Sequence, residues 1–261
     1  MPQVRFAAIA DIHGNLWALE AVLADIRARG IDLIVNLGDH LYGPLDPAST
    51  AEMLIALDLP AISGNQDREL IASTPAEGTL LENRQALREQ HRAWLSKLPS
   101  TLFWEEEDVL LCHGTPFADD VYLLEQVNAT SVCLAPPGKT LSLLGGISHS
   151  LILCGHTHIP RTVMLPQGTL IVNPGSVGLQ AFTDDLPVPH AMQTGSPHAR
   201  YAILAGQHNS WQVEHISVVY DWNHAAEVAA RNRRPDWAEW LKSGRAEAAS
   251  SRDNFHSASP K

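Results

Sequence analysis

The chain has 261 residues, of which 45% are hydrophobic and 18% are charged, as is usual for a folded globular protein. Its net charge of −11 at pH 7 and the lack of a long Lys/Arg stripe argue against an extended nucleic-acid-binding surface. It starts on a strand-like run without a basic leader, and no apolar run approaches membrane-spanning length. Three cysteines without a C-x-x-C pair suggest no disulfide framework. We therefore expect a cytoplasmic protein that does not associate with a membrane.

The N-terminal half of the chain alternates strand-like and helix-like segments. Runs of apolar residues predict strands, and apolar positions three or four residues apart predict helices. The predicted order is strand 4–10, helix 16–26, strand 33–37, helix 46–57, strand 61–63, helix 80–98, strand 101–106 and strand 108–112. The last two strands are expected to pair as a hairpin, because only a tight turn separates them.

The C-terminal half is less regular. Residues 121–127 have helical apolar spacing, and a second short helix is predicted after the turn at 136–138. Hairpins are predicted over 161–172 and 201–220, each around a polar turn. Between these hairpins, residues 184–198 carry three prolines and little periodicity, which predicts a mobile loop.

Polar side chains that suit metal ions follow five of the apolar runs, at the point where each run ends. They occur in the blocks 11–15, 38–39, 64–67, 113–114 and 155–158. Open α/β folds place their active sites at the carboxyl ends of buried strands, so these blocks are expected to meet in one site. The seven candidate ligands are Asp11, His13, Asp39, Asn65, His113, His156 and His158.

The chemistry of these residues suits two divalent ions. In an extended strand end, side chains two residues apart point to the same face, so Asp11 and His13 can bind one ion together. The Asp39 carboxylate can bridge two ions, which an imidazole cannot do. Mixed nitrogen and oxygen ligands favour Mn, Fe, Zn or Ni over Ca, and we favour Mn for activity. Ions about 3.5–4 Å apart polarise a phosphoryl oxygen and hold a bridging hydroxide as nucleophile, which predicts a metal-dependent phosphohydrolase.

Taken in order, the five blocks resemble the motifs of the calcineurin-like metallophosphoesterases, and the resemblance extends over about residues 4–220. The stretches 38–44 and 173–178 are similar to the small prokaryotic phosphodiesterase branch of that superfamily. The resemblance implies a mixed α/β fold, a four-layer α/β/β/α sandwich with small cap insertions. It also implies two ligand sets, one made of Asp11, His13, Asp39 and His158, and the other of Asp39, Asn65, His113 and His156.

The residue pattern along the chain and the resemblance together set our expectations for domains and catalysis. We expect a single domain over residues 1–245, with cap-like insertions at about 117–146 and 184–198, followed by a flexible tail over 246–261. Within the site, Asp39, Asn65 and His113 are expected to act in catalysis.

Position 66 departs from the family pattern. Many relatives have a histidine after the Gly-Asn pair, and that histidine is taken to protonate the leaving group or to steady the phosphate. This chain has Gln66, which can donate a hydrogen bond but cannot act as a general acid. Relatives without the histidine are associated with phosphodiester hydrolysis. We therefore expect a phosphodiesterase that acts on a small or nucleotide-like phosphate ester.

Substrate contacts are predicted for Asn65, Gln66, Arg68 and Tyr42. Pairing with a neighbouring carboxylate is at least as compatible with Arg68. Packing on the core is an equal alternative for Tyr42. Trp237 and Trp240, on a short C-terminal helix, are interpreted as an anchoring patch.

Other functions compatible with the motifs are dinucleoside polyphosphate hydrolysis and protein dephosphorylation. From a different class, the chain could be a metal-binding scaffold without catalysis. The complete ligand set argues against a scaffold, because a scaffold has no physical need for seven correct ligands.

Overall fold

The computed structural model describes residues 4–128, 131–208 and 210–248. Most of the tail that we expect to be flexible, 246–261, therefore lies outside the described residues. The strands are β1 (Val4–Ile9), β2 (Ile34–Asn36), β3 (Thr101–Trp104), β4 (Val109–Cys112), β5 (Glu125–Asn128), β6 (Ser131–Leu134), β7 (Leu151–Leu153), β8 (Arg161–Met164), β9 (Leu170–Asn173), β10 (Ala181–Asp184), β11 (His190–Gln193), β12 (Ala199–Gln207) and β13 (Ser210–Val218). The α-helices are α1 (Leu16–Ala28), α2 (Pro47–Leu57), α3 (Asn65–Ile71), α4 (Gly78–Ala86), α5 (Glu89–Leu95), α6 (Pro137–Leu144), α7 (Trp222–Arg231) and α8 (Pro235–Ser243).

Two sheets organise the fold. The first has the order β13-β12-β1-β2, in which β1 and β2 are parallel and β12 pairs antiparallel with both β1 and β13. The second has the order β3-β4-β7-β9-β8, with β4, β7 and β9 parallel and an antiparallel strand at each edge. Two separate strand pairs, β5-β6 and β10-β11, complete the described strands.

Apolar side chains pack in three layers around these sheets. Because side chains alternate along a strand, Phe6 and Ala8 of β1 face the second sheet, while Ala7 and Ile9 face the helices on the other side. The outer face of the second sheet packs against Leu144 of α6. The order of layers is helices, sheet, sheet and helix, which confirms the predicted four-layer α/β/β/α sandwich. None of the helices in the described ranges is long and apolar enough to cross a membrane.

The single helix predicted over 80–98 is wrong, because two helices, α4 and α5, occupy that stretch. The helix breaks at Leu87, which has the extended backbone angles φ −78° and ψ 128°. Leu87 is 3% exposed and packs in the core between the first sheet and its helices. Its carbonyl oxygen accepts a hydrogen bond from the Arg92 guanidinium. The extended residue Leu87 therefore separates the two helices, and the Arg92 side chain satisfies its carbonyl oxygen.

Two further predictions are wrong. The helix predicted over 121–127 is a loop that leads into β5, and Leu123 and Leu124 of this loop are both buried. The mobile loop predicted over 184–198 contains β11, which pairs with β10 in a hairpin where Phe182 lies opposite the buried Met192. The short strand predicted over 61–63 is reduced to one parallel bridge between Asn36 and Ala61.

The three hairpins predicted over 101–112, 161–172 and 201–220 are confirmed by the antiparallel pairs β3-β4, β8-β9 and β12-β13.

Candidate dinuclear metal centre

The candidate ligands lie at one end of the two sheets, in loops that follow β1, β2, β4 and β7 and, for Asn65, at the first residue of α3. The carboxyl ends of β1 and β2 meet because these strands are parallel, and the same holds for β4 and β7. Backbone hydrogen bonds join the loops: the Asp11 amide donates to Gly38, at 3.0 Å, and the Gly155 amide donates to His113, at 2.7 Å. Strand polarity therefore brings together residues that are far apart in the sequence.

The ligand atoms fall into two groups. Asp11, His13 and His158 form the first group, and Asp39, His113 and His156 form the second. In the first, the Nε2 atoms of His13 and His158 are 3.0 Å apart, and His158 Nε2 is 3.5 Å from Asp11 Oδ1. In the second, His113 Nε2 is 3.3 Å from Asp39 Oδ2. A distance of 3.9 Å between His113 Nε2 and Asp11 Oδ1 links the groups.

Backbone carbonyls orient three of the imidazoles. Each Nδ1–H donates to a carbonyl oxygen, so the Nε2 atom points into the site. The acceptors are Tyr42 for His13 at 2.9 Å, Leu37 for His113 at 2.7 Å and Leu179 for His158 at 2.6 Å. With both Nδ1 atoms protonated, the facing lone pairs of His13 and His158 repel unless a cation lies between them.

Unpaired buried atoms supply a test of whether metal ions fit here. Asp11 Oδ2, Asn65 Oδ1 and His113 Nε2 are buried and have no hydrogen-bond partner. Leaving such atoms unpaired is costly, typically about 1–3 kcal/mol each. All three are metal ligands by chemistry, and two carboxylates with four imidazoles suit first-row divalent ions. The residues present therefore fit two such ions.

Burial and neighbouring charges prepare the ligands for binding. Burial and the nearby His158 lower the pKa of His13 to about 4, and burial and His113 lower the pKa of His156 to about 4. Burial opposes protonation of His113 too, but the Asp39 carboxylate outweighs it and raises the pKa of His113 to about 10. His13 and His156 are therefore neutral near pH 7, whereas Asp39 holds a proton on His113 Nε2 that a metal ion would have to replace.

Five of the candidate ligands have left-handed backbone conformations. Their φ values are +55° for Asp11, +54° for His13, +55° for Asp39, +68° for His156 and +60° for His158. Such angles cost a non-glycine residue about 1–3 kcal/mol and cluster at functional sites. Asp11 and His13 therefore do not lie on an extended strand end, as the sequence argument assumed. They converge because the chain turns sharply after β1.

Asp67 is a buried residue that holds two ligand loops together. It is 0% exposed and accepts hydrogen bonds from the backbone amides of Asp39 at 2.8 Å, His40 at 2.9 Å and Gly64 at 3.0 Å. The His40 ring contacts the same carboxylate at 2.7 Å. Gly64 must lack a side chain, because a Cβ there would lie 2.2 Å from Asp39 Oδ1. The sequence indicated Asp67 only as part of a block, without this role.

We expect Asp67→Asn to destabilise the protein by about 3–5 kcal/mol, because an amide cannot accept all the hydrogen bonds of this buried carboxylate. Urea unfolding of the variant measures the change. The matched control is Asp46→Asn, because Asp46 caps α2 by accepting from the Ser49 amide and asparagine caps equally well. Equal stability of the two variants would contradict the role of Asp67 as a clamp.

A cleft of about 290 Å³ opens onto both ligand groups. Three of the residues with predicted substrate contacts, Tyr42, Asn65 and Gln66, line it, and the backbone amide of Gln66 donates to Asp39 Oδ1 at 2.9 Å. Arg68 does not line this cleft. Its guanidinium pairs with both carboxylate oxygens of Asp119, each at 2.8 Å, and lies in a different depression.

The cleft also has a wall that sequence reasoning missed. It is formed by residues of β10 and α8 with the residue before α8, namely Phe182, Thr183, Asp184, Arg234, Trp237 and Trp240. Nothing in the sequence distinguishes Arg234 from the arginines beside it. The tryptophan pair was the available signal, but it was interpreted only as an anchoring patch.

Known proteins resemble this chain over most of its length. Residues 4–189 match the calcineurin-like phosphoesterase superfamily domain. An uncharacterised protein from Methanocaldococcus jannaschii is 28% identical over 251 residues, or 91% of this chain and 96% of that protein. The crystal structure of a metallophosphoesterase from Sphaerobacter thermophilus has a TM-score of 0.72 at 24% identity, with 93% of this chain and 99% of that one covered. A hypothetical protein from Pyrococcus horikoshii has a TM-score of 0.68 at 20% identity and the same coverage.

The fold and the site are those of a metal-dependent phosphoesterase, and the chain belongs to the calcineurin-like phosphoesterase superfamily. The family predicted from the five motif blocks is thereby confirmed.

Proposed function

We propose that the protein is a phosphodiesterase that uses two divalent ions, with Mn as the ion that best supports activity. The observation that carries the proposal is that Gln66 lines the cleft that opens onto both ligand groups. A glutamine there can contact a phosphoryl oxygen but cannot protonate a leaving group. An alkoxide that leaves from an alkyl monoester would therefore lack a proton donor at this position, which favours diesters as substrates.

In this proposal, each residue of the site has a stated task. Asp11, His13 and His158 would hold one ion, Asn65, His113 and His156 would hold the other, and Asp39 would be shared between them. When bound, the ions supply Lewis acidity toward the phosphoryl oxygens and generate a nucleophile from water at neutral pH. Tyr42 and Gln66 line the approach to these ligands and orient the ester. The buried carboxylates of Asp11 and Asp39 offset part of the positive charge that the ions bring.

Two segments are proposed as caps of a single domain. Tyr122, from the 117–146 segment, lies with its ring 4.8 Å from the ring of His156. Its hydroxyl donates to Asp184 Oδ2 at 3.2 Å, at the start of the 184–198 segment. Asp184 lines the cleft. These contacts support a role for both segments in shaping the approach to the site.

We also propose a cytoplasmic location. Cys112 and Cys154 are free and buried, and free cysteines are typical of a reducing compartment.

A non-catalytic scaffold is a weaker alternative. A scaffold that bound metal only for stability would gain nothing from leaving its ligands open to solvent. Here His13, Asp39, Asn65, His156 and His158 all line an open cleft, so a small ester can reach them.

Metal content and an ester screen test the proposal. We expect elemental analysis to find two divalent ions per chain, and we expect removal by chelator to abolish activity that added Mn restores. The screen compares aryl phosphate monoesters, aryl diesters and a dinucleoside polyphosphate under the same metal load. A metal-free protein whose stability and activity respond to neither chelator nor Mn would contradict the proposal, and faster turnover of monoesters would contradict the diester preference.

A further inference from the structure

The segment formed by Arg234 and helix α8 forms one wall of the cleft, although it lies outside the part of the chain that matches the family. The match ends at residue 189, whereas Arg234, Trp237 and Trp240 come from residues 234–240. These three residues line the same cleft as the ligands His13 and His158. This part of the wall is therefore outside the region that the family match describes.

Arg234 is held in a defined orientation at the cleft. Its Nε donates to Asp236 Oδ1 at 2.9 Å, its Nη2 to Asp236 Oδ2 at 2.7 Å and its Nη1 to Thr79 Oγ1 at 2.9 Å. Its Cζ lies 5.4 Å from the centre of the Trp237 ring. The side chain is 26% exposed. A guanidinium has more N–H donors than these bonds use, so this oriented group can still donate to an anion in the cleft.

The tryptophans of α8 divide into an anchor and a contact surface. Trp237 is 3% exposed and lies edge-on to the His13 ring, with the centroids 5.8 Å apart, so it fixes the helix against the site. Trp240 packs 6.3 Å from Trp237 between ring centroids and is only partly buried, so it offers a ring to the cleft. Phe182 of β10 also lines the cleft and is partly exposed. The aromatic rings of Trp240 and Phe182 and the guanidinium of Arg234 thus line the same cleft.

We propose that Arg234 and Trp240 form the subsite for the non-leaving arm of the substrate, and that this arm carries a planar, nucleobase-like ring. Arg234 donates hydrogen bonds to a non-bridging phosphate oxygen, and the ring stacks on Trp240. This inference rests on the proposed phosphodiesterase function and narrows its substrate class to nucleoside diesters.

Two diesters with the same p-nitrophenyl leaving group test the subsite. One carries thymidine through its 5′ oxygen as the second group, and the other carries methyl. We expect Trp240→Ala to lower kcat/KM for the thymidine diester by about 10- to 100-fold, as loss of one stacked base does, and to leave the methyl diester within about threefold. We expect Arg234→Gln to lower both by about 10- to 100-fold, because both substrates carry the phosphate, and Arg234→Lys to recover part of the loss.

Arg233→Gln is the matched control for Arg234→Gln. The side chain of Arg233 is 83% exposed, pairs with Glu82 and lies away from this cleft, so kcat/KM should not change. Metal content is measured in every variant. An Arg234→Gln variant that behaves like Arg233→Gln would overturn the inference. A Trp240→Ala variant that loses the same factor on both diesters would also overturn it.

A binding measurement separates failure of the subsite from failure of the proposed function. Isothermal titration of the Mn-loaded protein with thymidine carrying a carbon-linked 5′-phosphonate requires no turnover. We expect Trp240→Ala and Arg234→Gln to weaken this binding, and Arg233→Gln to leave it unchanged. If the wild-type protein cleaves neither diester, the phosphodiesterase proposal fails, and the titration alone then decides whether the subsite exists. Unchanged binding in both cleft variants would overturn the subsite even if diesters are cleaved.

Discussion

Asp39→Asn is expected to remove both metal ions and to lower kcat/KM by about three orders of magnitude or more, because activity depends on charge that the ions supply. Asp39 Oδ2 is 3.3 Å from His113 Nε2, and Oδ1 accepts a hydrogen bond from the backbone N–H of Gln66. An amide side chain halves the number of acceptor oxygens and removes one of the two carboxylates of the ligand set. Elemental analysis of the purified variant, together with kcat/KM for an aryl diester, measures both effects.

Two comparison variants make this result specific. Asp58→Asn changes the same residue type in the same left-handed conformation, with φ +48°, at an exposed position that caps the end of α2. It should keep both ions and full activity, since asparagine tolerates this conformation. Asp11→Asn should lose mainly the ion of the first group. If Asp39→Asn loses only one ion, the assignment of Asp39 as the shared ligand is wrong.

Gln66→His is expected to raise the turnover of alkyl monoesters relative to aryl diesters. Leaving groups of high pKa need protonation most, and general acid catalysis typically contributes about 10²–10⁴-fold. Gln66 lines the cleft, and its backbone amide rather than its side chain bonds to Asp39, so the substitution leaves that hydrogen bond in place. The measurement is the ratio of kcat/KM for an alkyl monoester to that for an aryl diester, in the wild type and the variant.

Gln66→Asn is the control for this experiment, because it changes the side chain without introducing a group that can donate a proton near neutral pH. Metal content must be equal in all three proteins. If the ratio of kcat/KM rises equally in both variants, the cause is the changed size and shape of the side chain rather than proton transfer. An unchanged ratio in Gln66→His would show that position 66 does not set specificity, and the wall formed by β10 and α8 would then become the main candidate.

The sequence alone was sufficient for the fold class and for the positions of the candidate ligands. A strand buried on both faces is a continuous apolar run, and the polar block that ends it is its neighbour in the chain. β1 with Asp11 and β7 with His156 are examples in which both signals are local. Parallel strand order then brings such ends together, so no knowledge of individual contacts was needed to predict that they meet.

Local pattern failed where burial outside the regular elements decided the conformation. Leu87 is buried with an extended backbone and separates α4 from α5 in a stretch with helical spacing, and a loop with buried Leu123 and Leu124 stands where a helix was predicted. The left-handed angles at Asp11 and His13 were equally invisible, since a non-glycine residue adopts them only when surrounding contacts enforce them.

Tertiary structure alone decided which side chains reach the cleft. Arg68 is close to Gln66 in sequence, but positions two residues apart on an α-helix lie about 200° apart, so α3 directs Arg68 to Asp119 instead. Arg234 is remote from every ligand block, and it reaches the cleft because α8 packs against α7 and β10. Sequence periodicity specifies which face of a helix is buried. Where that helix docks depends on contacts between residues far apart in the chain, which periodicity does not encode.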